Sequence, residues 1–271
     1  MITPVRRNWC PKELFKALTP VMFTAEPSVL RARWNKLWPE LYTEYDARHL
    51  KKELAIRNLI ATEEAAAFFD AWAADEERHA EGFIQIMELV ADGSEKDLRE
   101  RLDARSHNFS AINEYLKDEF SVMVMIAFDE MCTCHAYAAD KAFYAGLGSD
   151  RFVRWLREVT ADEAVHSMNA INVIRARYSD RIREVGTILD GLTGGVADES
   201  DYGGTFVLDY FGEKYTKEML ANCRATIMRN VAKPLTTAER DGRKRSAKLT
   251  STPSHRLRSD SGAQPAPSAR T

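Results

Sequence analysis

The chain has 271 residues, a formal net charge of -3, 45% hydrophobic and 29% charged residues, with only 13 Gly and 9 Pro. Those values suit a soluble globular protein of long regular elements, with one large domain or two small ones, and exclude a dedicated nucleic-acid binder. The longest apolar run, Phe120 to Phe128, is too short to span a bilayer, and Met1 to Asn8 is not followed by an apolar signal-peptide core, so a cytoplasmic protein with no membrane partner is expected.

Residues 1–27 carry four Pro and read as an irregular arm. Pro39 suits the first turn of a helix running to about Ile60. A second helix is predicted from about Glu64 to Ala91, stopping before Asp92-Gly93-Ser94, and a short charged one over Glu95–Ala104. A third long helix runs from about Ser110 to Tyr144, before Gly146-Leu147-Gly148, and a fourth from about Asp150 to Tyr178. Further helices fit 180–192 and 205–231, separated by Gly194-Gly195 and Gly203-Gly204. No strand-like alternation competes. From about Pro234 large apolar residues nearly vanish, so the reading is a folded domain over 1–233 and a disordered tail over 234–271. Residues 236–271 carry +5 against -8 for the body. Arg243-Lys244-Arg245 reads as a solvated run or a contact for an acidic partner. Cys10, Cys132, Cys134 and Cys223 form no spaced framework and read as reduced thiols.

Two helices contain Glu-x-x-His: Glu76-Glu77-Arg78-His79 and Glu163-Ala164-Val165-His166. Residues three apart share a helix face, so each motif aims a carboxylate and an imidazole at one point. The stripe Phe69, Trp72, Glu76, His79, Phe83, Met87, Val90 is apolar apart from its two motif residues. The stripe Phe152, Leu156, Val159, Glu163, His166, Ala170, Val173 repeats that pattern. In the third helix Leu116, Phe120, Met123 and Ala127 lead to Glu130; in the first, Leu37 and Leu41 lead to Glu44. Glu40 and Asp46 lie close to Glu44 in register and remain alternatives to it. Glu44 precedes Glu76 by 32 residues and Glu130 precedes Glu163 by 33, an internal pseudo-symmetry.

Four buried carboxylates cost several kcal/mol each unless cations sit among them. Two divalent metals held by Glu44, Glu76, His79, Glu130, Glu163 and His166 would neutralise them, as in four-helix carboxylate bundles. Oxygen and imidazole ligands suit iron and accept manganese. His49 and His135 lie off the stripes and read as structural or surface residues. Trp72, Phe83, Met123 and Phe128 read either as a cavity lining or as filled core.

Several segments resemble the soluble acyl-acyl carrier protein desaturases of the ferritin-like di-iron superfamily. Asn8-Trp9-Cys10-Pro11-Lys12-Glu13-Leu14-Phe15 is similar to their N-terminal Asn-Trp-x-Pro stretch, and Thr43-Glu44 to their first ligand. Ala71-Trp72-Ala73-Ala74-Asp75-Glu76-Glu77-Arg78-His79, Phe128-Asp129-Glu130-Met131-Cys132-Thr133 and Thr160-Ala161-Asp162-Glu163 through His166 resemble the remaining ligand segments. The resemblance covers residue 8 to about 180. It implies an all-α, ferritin-like four-helix bundle with an N-terminal arm and additional C-terminal helices. It implies two iron ions, O2 as co-substrate, and desaturation or hydroxylation of an unactivated C–H bond in an acyl substrate, carried on acyl carrier protein. An external electron donor such as a ferredoxin and a homodimer follow. Thr133 would then stand beside the oxygen site and help to deliver protons. Asp162 would bond a ligand histidine, His79, and link it to Trp9.

The chain departs from the family in its short stretch from Trp9 to Glu44 and in Cys132, Cys134 and His135 around Thr133. The arylamine N-oxygenases carry an extra ligand His where this chain has Val159. Competing expectations are an oxygenase or N-oxygenase of a small molecule in specialised biosynthesis, a ferroxidase or iron-storage protein, and a peroxidase or manganese catalase.

Overall fold

A computed structural model describes residues 2–194 and 215–234. Among these the chain is all-helical, with no strand. Its helices are α1 (Pro11–Phe15), α2 (Pro27–Ile56), α3 (Glu63–Val90), α4 (Glu95–Asp103), α5 (Glu119–Ala139), α6 (Lys141–Gly146), α7 (Asp150–Arg177), α8 (Val185–Gly194) and α9 (Lys217–Val231), with 3-10 turns at Pro20–Phe23, Ser110–Ile112 and Ile182–Glu184. The basic tail, Arg243-Lys244-Arg245 included, lies outside the described residues, as does the stretch 195–214.

Four boundaries differ from the expectations. The arm is not wholly irregular, because α1 and the Pro20–Phe23 turn occupy part of it. The first long helix starts at Pro27, leaving Pro39 inside it. An internal Pro costs about 3 kcal/mol through a lost hydrogen bond and a ring clash. Here the ring faces solvent, while Leu37 and Leu41 on either side are completely buried. Burial of each such side chain contributes about 1.5–3 kcal/mol, which offsets the loss. The 110–144 segment is not one helix. Asp118, extended at φ -155°, accepts the Ser121 amide and starts α5 afresh; the chain turns at Asp140 before α6. The helix expected from residue 180 begins at Val185, after a 3-10 turn. Of the segment 205–231, the described part is helical from Lys217.

Starts at Thr62, Ser94, Ser149 and Thr216 are capped by side-chain oxygens, the local reason these helices begin where they do. α2 packs on α3, α3 on α7, and α7 on α5, while α8 and α9 cover α5 and α1 lies on α3 and α7. The contacts of Lys51 with Asp70 and His79 with Glu44 run antiparallel, as do those of Ser167 with Ala127 and His166 with Glu130. α5 is the innermost helix: Val122 through Phe128 are all completely buried.

The core divides into two apolar clusters. One gathers Leu50, Phe69, Phe120, Ile126, Ile174 and residues of α8 and α9. The other gathers Leu41, Phe83, Met87, Tyr144, Phe152 and Trp155. Along α2, α3 and α7 the clusters are separated by the same short stretch: Glu44, the 76–79 motif and the 163–166 motif. α3 and α7 approach closely there, since a Cβ on Gly82 would lie 2.2 Å from the Trp155 indole nitrogen.

Candidate metal centre

The layer between the apolar clusters is polar and buried. Glu44, Glu76, Glu130, Glu163, His79 and His166 are each at most 4% exposed. They form two quartets, Glu44–Glu76–His79–Glu163 and Glu76–Glu130–Glu163–His166, whose donor atoms in each case lie within 4.8 Å of one another. Glu76 and Glu163 belong to both. The structure therefore brings together all six residues read as ligands, one Glu or one Glu-x-x-His pair from each of α2, α3, α5 and α7.

The alternatives on α2 are placed elsewhere. Glu40 pairs with Lys36 at 3.1 Å, although it also borders the cavity described below. Asp46 turns away to Arg105 at 2.9 Å. His135 is exposed. His49 is half-buried and stacks on His107 at 3.6 Å, and burial first, then the charge of His107, holds its imidazole down to about 4.

Both imidazoles point Nδ1 inward. His79 Nδ1 lies 3.1 Å from Glu163, 3.2 Å from Glu44 and 3.7 Å from Glu76. His166 Nδ1 lies 3.0 Å from Glu76, 3.1 Å from Glu130 and 3.3 Å from Glu163. One ring nitrogen has at most one proton to give, so it cannot satisfy three carboxylates. Glu76 Oε1 and Glu163 Oε1 are buried without an aligned hydrogen-bond donor. A divalent cation, in contrast, is met by several carboxylate oxygens and an imidazole lone pair at once, so the donor set fits two such ions.

Proton affinities agree with that fit. Burial, then the charge of Glu76, pushes the Glu44 carboxyl well up; burial, then Glu163, does the same to Glu130. Burial also works against charge on Glu76 and Glu163. Hydrogen bonds from neighbouring carboxyls and the two histidines nevertheless hold both below the usual range. Burial lowers the affinity of His79 and His166, yet the surrounding carboxylates lift both well above an ordinary histidine. Two divalent cations set among the four carboxylates would offset that cost of burial.

The outer nitrogens are held by aspartates. Asp162 Oδ2 lies 3.1 Å from His79 Nε2 and also accepts the Trp9 indole N–H at 2.7 Å and Arg78 at 2.6 Å. Trp9 stacks on the His79 ring at 5.9 Å. The sequence reading missed the mirror contact: Asp75 Oδ2 lies 3.4 Å from His166 Nε2, while its Oδ1 is held by Arg6 at 2.6 Å and Arg78 at 2.8 Å. Its carboxylate sits at about 2, because hydrogen bonds from His166 and Arg6 outweigh burial. The signal was present, since Asp75-Glu76 repeats Asp162-Glu163 and makes both motifs Asp-Glu-x-x-His. A carboxylate that fixes a ligand imidazole also fixes its tautomer, leaving the inner nitrogen free to ligate.

Two further donors were missed. The Tyr137 hydroxyl donates to Glu44, and the Trp72 indole donates to Glu130 Oε1 at 2.6 Å. Tyr137 lies seven residues after Glu130, two turns along the same helix face. Trp72, Phe83, Met123 and Phe128 sit in the packed clusters as core. The cavity that reaches the carboxylates is lined instead by Thr43, Glu44, Thr133, Tyr137 and Tyr215, with Glu76, Glu130 and Glu163 at its floor. Its volume is about 20 Å³, room for one small molecule of the size of water. Thr133 lies on this wall and donates to the Asp129 carbonyl at 3.1 Å. Cys132 is buried, Cys134 half-buried, and none of the four cysteines is in a disulfide. No described helix is long and apolar enough to cross a membrane.

A scan of family models and searches of curated proteins and solved structures return no match to this chain.

Proposed function

We propose that the chain is an O2-dependent, non-haem di-iron oxidoreductase on a ferritin-like four-helix bundle, similar to the soluble acyl-acyl carrier protein desaturases, acting at an unactivated C–H bond of an acyl-type substrate. The observation that carries this reading is the pair of buried quartets sharing Glu76 and Glu163, with both histidine Nδ1 atoms turned inward. In it, Glu44, Glu76, His79, Glu130, Glu163 and His166 would hold the two irons. The bound irons supply the activation of O2.

The chain's own residues do the rest. Asp75 and Asp162 keep each Nε2 proton in place so that Nδ1 presents a lone pair. Arg78, reaching both aspartates, keeps them ionised. The apolar clusters on either side exclude water, which strengthens every electrostatic contact between them. Tyr137 and Trp72 orient the two unshared carboxylates. Thr133 stands at the cavity wall, and turning its hydroxyl away from the Asp129 carbonyl brings its proton to the carboxylates. The electrons come from an external donor such as a ferredoxin, and a cytoplasmic homodimer is the assembly proposed.

The size of the cavity favours a second reading, a ferroxidase, because about 20 Å³ beside the carboxylates admits an oxidant more readily than an acyl chain. An anaerobic Fe(II) titration of metal-free protein, followed by O2, separates the two. Saturation at two irons per chain, with O2 consumed alongside product from an acyl carrier or small-molecule substrate, supports the oxidoreductase. Uptake far beyond two irons supports storage. No tight binding overturns both.

A further inference from the structure

A second group of ligand-type side chains converges outside the carboxylate layer. Asp46 and His49 sit three apart on α2, on one face of that helix, and His107 reaches them from the segment after α4. Their donor atoms all lie within 4.8 Å of one another. Asp46 is completely buried. Its Oδ2 accepts from Arg105 Nη2 at 2.9 Å. Its Oδ1 lies 3.2 Å from His107 Nδ1, yet the two atoms are not aligned as a hydrogen bond and both are buried without a hydrogen-bond partner. Buried polar atoms are costly unless one group satisfies them. The His49 and His107 rings are stacked, 18° from parallel with centroids 3.6 Å apart, so one ring must turn for both in-plane lone pairs to meet a single ion. At the rim the exposed Arg48 donates to His49 Nε2 at 3.3 Å, a cation resting on that lone pair.

We propose that Asp46, His49 and His107 bind one divalent transition-metal ion of the zinc class, separate from the carboxylate centre, with a coordination position open to the adjoining cleft. Two imidazoles and one carboxylate suit zinc, cobalt or nickel; calcium and magnesium prefer oxygen alone. Arg105 holds the second oxygen of Asp46, so Oδ1 is the atom presented to the ion. Three protein ligands leave at least one position for water or an exogenous ligand, the pattern of reactive rather than closed structural sites. His49 and His107 also line a cleft of about 470 Å³ that carries Lys52, Arg57, Asn108 and Ser110. Arg57 is paired with Glu53 on the same wall, which leaves Lys52 as the cation facing a small anionic ligand, a phosphate or a carboxylate, that would complete the metal's shell.

The test is a Zn²⁺ titration of the full-length protein, counted by elemental analysis and calorimetry, with Co²⁺ visible absorption reporting the donor set. Wild type takes one equivalent that His107→Ala loses or binds more than about tenfold more weakly. His49→Ala, altering a different element, does the same, and Arg48→Ala tightens the site by removing the competing cation. Circular dichroism melting confirms that each variant is folded. Glu163→Ala keeps this equivalent, which separates it from the carboxylate centre: the proposal stands if Glu163→Ala retains an ion sensitive to His107→Ala, whatever becomes of the dinuclear reading. Unchanged stoichiometry and affinity in folded His49→Ala and His107→Ala overturn it.

Discussion

On one side of the carboxylate layer His79 rests on Asp162 at 3.1 Å, beneath the Trp9 ring, with Tyr137 holding Glu44. On the other His166 rests on Asp75 at 3.4 Å, with Trp72 holding Glu130. Each side has an aspartate behind its imidazole and an aromatic donor behind its unshared glutamate. They differ at the surface. Arg78 reaches both aspartates; beyond it Asp162 is covered by the half-buried Trp9, whereas Asp75 is covered by Arg6, whose side chain is 44% exposed. A repeated Asp-Glu-x-x-His therefore supplies the common plan, and the N-terminal arm, which is not repeated, makes the sides unequal.

The largest expected effect tests the shared members. Glu163→Ala removes a ligand from both quartets, so bound iron should fall from two per chain toward none. Glu44→Ala or Glu130→Ala should leave one. Equal stoichiometries in all three variants, measured by elemental analysis, would break the two-sided description.

Next come the aspartates. Asp162→Asn and Asp75→Asn should each weaken one iron by about 10- to 100-fold. The loss should be larger for Asp162→Asn, where one uncharged amide oxygen must serve His79, Trp9 and Arg78 together. Equilibrium titration against a chelator gives both constants.

Gly82→Ala acts three residues after His79. The new methyl would meet the fully buried Trp155 indole, which has no room to withdraw. Overpacking should cost about 1–3 kcal/mol in urea denaturation, more than the roughly 1 kcal/mol gained in helix propensity. The equivalent position on α7 is Asn169, which bonds the Val5 backbone instead. Asn169→Ala should therefore loosen the arm while leaving the α3–α7 contact intact, visible as faster proteolysis ahead of α1.

The smallest effect lies at the helix starts. α5 begins on Asp118, whereas α2 has no side-chain cap. Burial raises the Asp118 carboxyl, but the Ser121 amide and Arg181 together bring it below the ordinary 3.8. A lowered folded-state affinity stabilises above the unfolded value and fades as pH falls through the folded one. Asp118→Ala should thus cost about 1 kcal/mol at pH 7 and less by pH 3, in paired denaturation curves.

The ligand stripes were readable because burial makes a charged residue on an apolar face conspicuous. Period and spacing placed the cores of α3 and α7 within a residue or so. Pro39 misled because propensity alone ignores Leu37 and Leu41 on the opposite face. The break before α5 was hidden by the continuous apolar pattern through Leu116 and Phe120, although Asp118 followed by Glu119 is a legible start. Tyr137 could not be inferred from α5 by itself, since its acceptor comes from a helix 93 residues away in sequence. The roles of Arg6 and Arg7 were not legible, because they depend on where the arm runs over α3 and α7.

The arm's partners also set an order of events. Arg6 reaches Asp75, 69 residues on; Arg7 and Trp9 reach α7, 151 and 153 residues on; Val5 reaches Asn169, 164 residues on. Loops of that length close slowly. During synthesis the arm leaves the ribosome before α7 and waits for it, so Asp162 gains its Trp9 covering only after the helix that carries it has assembled.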